Sequence, residues 1–266
     1  MARDLSDVLH YFGPELAAPK GSRGRFAAPE TERSAAPSAL QIVSVPIGDR
    51  DVVRAALTWN LAVEVARLGA RAVVLSPENS HSSPLWPHFG SGPLGVELRS
   101  TLARDLENLA VEARAVASEK SRGPSEGGLV FVGIPPDWLE STAGESPLLR
   151  WSLLFSSSRT SDLKDTLRIT RTILKRQPEA RIGVTIHGAQ RRSEAETAFI
   201  RLARAARRNL RCDLCSYGLL VDDLHVYRAI VAQRPIGLAH PQSPAARALR
   251  DVAELLLGDA REKRLG

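Results

Sequence analysis

Between Leu40 and Glu78 the chain reads LQIVSVPIGDRDVVRAALTWNLAVEVARLGARAVVLSPE. QIVSV is a continuous apolar run stopped by Pro46. From Val52 to Leu68, residues Val53, Leu57, Leu61, Val65 and Leu68 form one helical stripe, and Gly69 supplies a C-cap. RAVVL is a second apolar run. Two uninterrupted apolar strands around an amphipathic helix are satisfied by a parallel βαβ unit whose sheet is covered on both faces. Such a unit opens phosphate-binding α/β domains. Its loop, VPIGDRDVVRA, has one glycine, Gly48, and two aspartates, Asp49 and Asp51. A phosphate cradle uses several glycines, a lysine and a hydroxyl.

The same alternation continues downstream. The pattern predicts strands at LVFVGI, SLLF (152–155), IGVTI (182–186) and LCSYGLLV. It predicts helices over Val96–Lys120, Leu163–Arg176, Glu194–Leu210 and Ala245–Leu257, with Leu98, Leu102, Leu106 and Leu109 near one face of the first. Ser76–Pro93 reads as a long loop. The expected fold class is α/β: a Rossmann-like, doubly wound, mostly parallel sheet. A chain of 266 residues can bury such a core.

Composition narrows the function classes. The net charge of +6 permits contact with nucleic acid without demanding it. No apolar run is long enough to span a bilayer, and MARDLSDVLHYF has no secretory-signal pattern. A cytoplasmic location is expected. Cys212 and Cys215 form a lone CxxC in an apolar context and read as reduced structural thiols. His81 and His88 flank Trp86 without an evident third ligand, so no metal site is expected. Trp86, Phe89, Trp138 and Trp151 are candidate interface anchors, with core packing as the default.

The ends differ from the middle. Leu5, Val8, Leu9 and Phe12 share one face of a short helix over residues 1–13, with Asp4 as N-cap and Gly13-Pro14 as stop. Residues 14–38 have linker composition. A short apolar helix on a tether is either a partner-docking element or a segment that packs on its own domain. The α/β domain spans 39–258. Residues 259–266 form a basic tail with Leu265 as its only bulky apolar group after Arg261, too little for a membrane-targeting helix.

Three stretches together resemble the MinD/ParA group of deviant P-loop ATPases, and within it the FlhG/FleN-type flagellar-number regulators. The first is NLAVEVARLGARAVVLSPE, which follows that group's Walker A helix and second strand. Aligned back from Asn60-Leu61-Ala62, Arg54 takes the place of the Walker lysine and Ala55 that of the magnesium-binding Thr. Asp49 replaces the signature lysine, and Asp51 and Val53 replace glycines. The second is FVGIPP, where Gly133 stands for the metal-associated Asp. After the second strand only Glu78 keeps an acid, and His187 stands where the group has an adenine-contacting Asn. The third is RSEAETAFIRLARAARR with YGLLVDDLHVYRAIVAQRPIGLAHPQSPAARALRDVAELL, the most specific part. The resemblance covers about Leu40 to Gly258.

What the resemblance implies is a P-loop fold whose nucleotide residues (Gly48, Asp49, Asp51, Arg54, Ala55, Glu78, Gly133 and His187) are degenerate. The expected function is therefore non-enzymatic: a pseudo-ATPase acting as adaptor or regulator in bacterial spatial organisation, such as flagellar number or placement. No cofactor is expected, ATP and Mg²⁺ entering only under the alternative of a divergent ATP-binding switch. Expected partners are proteins: a MinD/ParA-type ATPase, a GTPase or a transcription regulator, met through Leu5, Val8, Leu9 and Phe12. A dimer is permitted, as is recruitment to a pole or organelle. Arg54 is expected to be a solvated first-turn arginine, while Asp49 and Asp51 are expected to cap the helix in place of a phosphate. Arg201, Arg204, Arg207, Arg208 and Arg211 form a basic stripe opposite Phe199, Leu202, Ala206 and Leu210. It reads as a solvated face, with a DNA-associated partition protein as the third alternative.

Overall fold

The computed structural model describes residues 40–78, 85, 87–119, 127–141 and 144–262. The docking helix 1–13, linker 14–38, His81, Trp86 and the last four tail residues lie outside them.

The strands are β1 (Gln41–Pro46), β2 (Arg71–Pro77), β3 (Gly90–Ser91), β4 (Glu97–Thr101), β5 (Gly128–Ile134), β6 (Trp151–Ser157), β7 (Arg181–Ala189) and β8 (Cys215–Val221). The helices are α1 (Val52–Arg67), α2 (Leu106–Ser118), α3 (Pro136–Ser141), α4 (Thr160–Arg176), α5 (Arg192–Leu210), α6 (Leu224–Val231), α7 (Ile236–Ala239) and α8 (Pro244–Arg261). The sheet order is β3-β4-β2-β5-β1-β6-β7-β8. Every pairing is parallel except β3 with β4. This is the doubly wound α/β fold expected. The central strands are buried along their whole length, as a sheet covered on both faces requires.

Two apolar layers flank the sheet. One joins α1 and α8 to Val43, Phe131, Trp151, Leu153 and Tyr217. The other joins α2, α4 and α5 to Val73, Val130, Leu154 and Val184. Trp151 is therefore a core residue, Trp138 is half-buried, and Phe89 is 43% exposed.

The helix expected over Val96–Lys120 is corrected. Its first part is strand β4, paired in register with β2 from Val73↔Glu97 to Pro77↔Thr101. Leu98 points into the core at 5% exposure, while Leu102 lies beyond the strand at 77%. Helix α2 starts only at Leu106, where Asp105 accepts a 2.8 Å bond from Asn108 N. Leucines four apart imitate a helical face, but the open edge of β2 captures the segment. The expected loop Ser76–Pro93 is likewise shortened by strand residues Ser76 and Pro77 and by β3. Helix α8 runs three residues into the expected tail. Cys212 and Leu214 precede β8, which begins at Cys215.

Candidate functional site

The order reverses beside β1. From it the chain crosses to β2 on one side, and β6 lies on the other. Crevices at such switch points, outside the carboxyl ends of the strands, are where open α/β sheets bind ligands. The ends of β1, β5, β6 and β7 converge there, at Pro46, Ile134, Ser157 and His187.

Several backbone donors after β1 are already engaged. Ile47 N bonds Ile134 O at 2.9 Å, Asp51 N bonds Gly48 O at 2.9 Å, and Val52 N bonds Arg50 O at 3.0 Å. Asp51 is the N-cap of α1. Its Oδ1 accepts from Arg54 N at 3.0 Å, and its backbone oxygen accepts from Ala55 N at 3.1 Å. No residue from Ile47 to Ala55 has positive φ. Asp49 and Arg50 form the exposed tip of the turn. Asp51 thus caps the helix as expected, while Asp49 lies two residues ahead of the cap.

Arg54 is not the solvated arginine expected. Its side chain is 14% exposed, and Nε lies 3.1 Å from Asp51 Oδ2. Nε finds no well-directed acceptor, so the contact is ionic in character. Capping turns the Asp51 carboxylate toward the helix start, and Arg54, three residues on, falls against it.

Asp162, absent from the sequence reading, and His187, named in it, complete the cluster. Asp162, in the first turn of α4, accepts from Ser157 Oγ at 2.5 Å and Ser161 Oγ at 3.1 Å. Burial resists its ionisation. Those hydrogen bonds, with the charges of Arg54 and Arg159, outweigh burial and hold its carboxyl below the usual range. At the end of β7, burial first and the Arg54 charge second push His187 below its ordinary value, against the pull of Asp51 and Asp162. The polar run Ser156–Asp162 after an apolar strand was the signal in the sequence that a site-facing loop begins there. A shallow cleft of about 450 Å³ opens alongside, between Ser158 and the first turns of α5, near Arg191, Glu194 and Arg201.

The other predicted residues lie apart from this cluster. Glu78 is exposed and accepts from Ser100 Oγ at 3.1 Å, facing β4. Gly133 is closed off: a Cβ there would sit 2.9 Å from Ser76 Oγ. Arg201, Arg204, Arg207 and Arg208 are exposed along α5, and Arg207 pairs with Asp213 at 2.7 Å. Arg211 is the C-cap with φ of 53°, so it leaves the stripe's helix. A second cleft, about 510 Å³ and lined by Cys212 and Cys215, sits at the opposite end of the sheet. Among the described residues, no three His, Cys, Asp or Glu side chains are grouped to hold a metal. No described helix is long and apolar enough to cross a membrane.

Solved structures share this architecture. MinD cell division protein from Aquifex aeolicus superposes with a TM-score of 0.57 at 16% identity, over 82% of this chain and 97% of that one. The cell division ATPase MinD of Pyrococcus furiosus gives 0.57 at 15%, over 82% and 98%. A ParA family ATPase from Chlorobium tepidum gives 0.51 at 12%, over 82% and 99%. The fold is that of the MinD and ParA P-loop ATPases. No family model matches the sequence, and a search of curated proteins returns no significant match.

On a MinD/ParA fold the loop after β1 would hold a magnesium triphosphate, and the residues present do not fit one. A phosphate nest needs inward N–H groups and left-handed glycines, whereas here the donors of residues 51, 52, 54 and 55 are engaged. The first turn of α1 already holds the Asp51 carboxylate, which repels a second anion. Ala55 and Gly133 offer no side-chain oxygen to magnesium.

Two strings that carried the family resemblance meet in one contact far from this loop. Asn60 Oδ1 accepts from Ile236 N at 2.7 Å, and its Nδ2 donates to Ala56 O at 2.7 Å. Glu64, pushed up by burial, pairs with Arg67 at 2.9 Å, and Arg67 donates to Gly237 O at 3.2 Å. Gly237 lets the pair sit close, because a Cβ there would fall 1.7 Å from Glu64 Oε1 and displace the Glu64 carboxylate.

Proposed function

We propose that this chain is a non-catalytic protein on the MinD/ParA fold, a pseudo-ATPase that acts as an adaptor or regulator in bacterial spatial organisation, of the kind that sets flagellar number or placement. The observation that carries the reading is the Asp51 carboxylate seated on Arg54 N at 3.0 Å, in the anion position of the first helix. It neutralises the helix start internally, so the loop keeps its shape without a nucleotide. Residues of NLA, QRPIG and SPAARAL, the strings that carry the family resemblance, pack α1, α7 and α8 together, which supports a protein kept for its surface and its fold.

Recruitment then runs through protein contacts. The Aquifex aeolicus MinD is also known in a MinC:MinD cell division complex. For this chain, residues 1–13 are the proposed docking element and a MinD/ParA-type ATPase, GTPase or transcription regulator the proposed class of partner. Equilibrium titration with Mg·ATP tests the first half. We expect no saturable binding up to millimolar nucleotide, and a micromolar Kd would establish a divergent ATP-binding switch instead. Pull-down with and without Leu9→Asp tests the second.

A further inference from the structure

Helix α6 leaves the carboxyl edge of β8 and presents an apolar face that the described residues leave exposed. Leu224, Tyr227 and Val231 are 61%, 47% and 67% exposed. They are spaced i, i+3 and i+7, within about 60° of one another at ~100° per residue. The opposite side of the helix is buried at Ala229 and Ile230. Leu85, itself 38% exposed, meets the turn that follows α6, its carbonyl accepting from Gln233 Nε2 at 2.8 Å. Exposed Arg228 flanks the apolar face. A stripe of three large apolar side chains on one short helix is a surface built to be covered.

We infer that its occupant is the chain's own amino-terminal segment, residues 1–13. Leu5, Val8, Leu9 and Phe12 make a matching stripe in the sequence. Asp4, the N-cap ahead of that stripe, offers a carboxylate of opposite sign to exposed Arg228. Reach agrees as well. The described residues begin at Leu40, whose N–H bonds Ala117 O at the amino edge of β1. Helix α6 starts at the opposite edge, three strands across. Six residues along a strand (~20 Å) and three strand spacings (~14 Å) give a span of roughly 25 Å. A linker of about 25 residues has a root-mean-square length of roughly 25–30 Å. Linker and span therefore match, the condition under which a tethered ligand reaches its highest effective concentration, in the millimolar range. An isolated helix this short is marginal in water. The α6 face supplies the apolar surface that its formation requires.

This placement deepens the proposed function. The docking element is stored on α6, and a partner must compete with that face to obtain it. Hydrogen exchange on the full-length chain at 1 µM and 100 µM tests it. In the wild type, amides of residues 4–12 and 224–234 are expected to be protected equally at both concentrations. Leu9→Asp should speed exchange across 224–234 at least threefold, and Tyr227→Asp should do the same across 4–12. Arg228→Asp should weaken the protection, and adding Asp4→Arg should restore it. Tyr227 lies outside the core, and unchanged exchange in β5 and β6 checks that the fold is kept in each variant.

The inference is overturned if residues 4–12 exchange freely in the wild type, or if neither substitution affects the other segment. Protection that appears only at 100 µM also overturns it, and assigns the face to a second copy of the chain. The outcome is separable from that of the proposed function. A chain that binds no partner can still show the internal coupling, and a partner captured through residues 1–13 without that coupling rejects this inference alone.

Discussion

Asp51 carries two interactions from one carboxylate: the cap on Arg54 N and the ion contact with Arg54 Nε. Asp51→Ala is expected to cost about 1–2 kcal/mol, as loss of an N-cap does, and Asp51→Ser to recover most of it. Urea midpoints read both. His187 makes the cluster sensitive to acid. Its folded pKa lies below 6.5, so the unfolded chain binds more protons as pH falls through 6.5, and stability drops from there down to the folded pKa. Asp251, raised to about 6 by burial, has the opposite sign: its contribution falls as pH rises from 3.8 through about 6. The loss of stability between pH 7.5 and 5.5 should therefore be larger in the wild type than in His187→Gln, which keeps Asp251 and removes the imidazole. At this scale the altered residues were readable, because a P-loop's demands are local. Asp162 was not, since its neighbours Arg54 and His187 are far away in sequence.

At the scale of elements, β4 is the instructive failure. The spacing of Leu98, Leu102, Leu106 and Leu109 suited one helix, but Arg71 and Arg99 bridge Glu97 and Glu119, tying β2, β4 and the end of α2 together. Periodicity within a segment says nothing of an open sheet edge waiting beside it. The two readings separate by mutation. Leu98→Ala should cost about 2–5 kcal/mol, as loss of a buried leucine does. Leu102→Ala should change stability by under ~0.5 kcal/mol. A single helical face would make the two costs alike. Caps, by contrast, were accessible in advance as residue types. Ser243 begins α8 by accepting from Ala246 N at 3.1 Å, with Pro244 at its first position. Asp223 does the same for α6 through His225 N at 2.9 Å while also accepting from Ala245 N at 3.2 Å. That second bond, joining α6 to α8, belongs to the assembled molecule.

For the molecule as a whole, the basic excess is the property most easily overread. The exposed arginines of α5 lie on the same architecture as a ParA seen bound to nonspecific DNA. With Arg207 held by Asp213 and Arg211 turned off the helix, few cations remain to displace phosphate counterions. We expect random duplex DNA to be bound more weakly than about 100 µM at 0.15 M salt, the weak end of nonspecific binding, and Arg204→Glu with Arg208→Glu to change little. Tight, steeply salt-dependent binding lost in that double variant would favour a partition protein. The alternation of apolar strands with amphipathic helices was enough to specify a doubly wound α/β molecule, because burial on both sheet faces leaves a continuous signature along each strand. The missing glycines, lysine and hydroxyl after β1 were equally plain, because a phosphate nest is built from consecutive residues. Three outcomes required the packed chain: the pairing of Asp51 with Arg54, the gathering of Asp162 and His187 around them, and the exposure of Leu224, Tyr227 and Val231 on α6. Each depends on which elements become neighbours. That is set by the order in which strands join the sheet, and distances between residues remote in sequence exist only once it has formed.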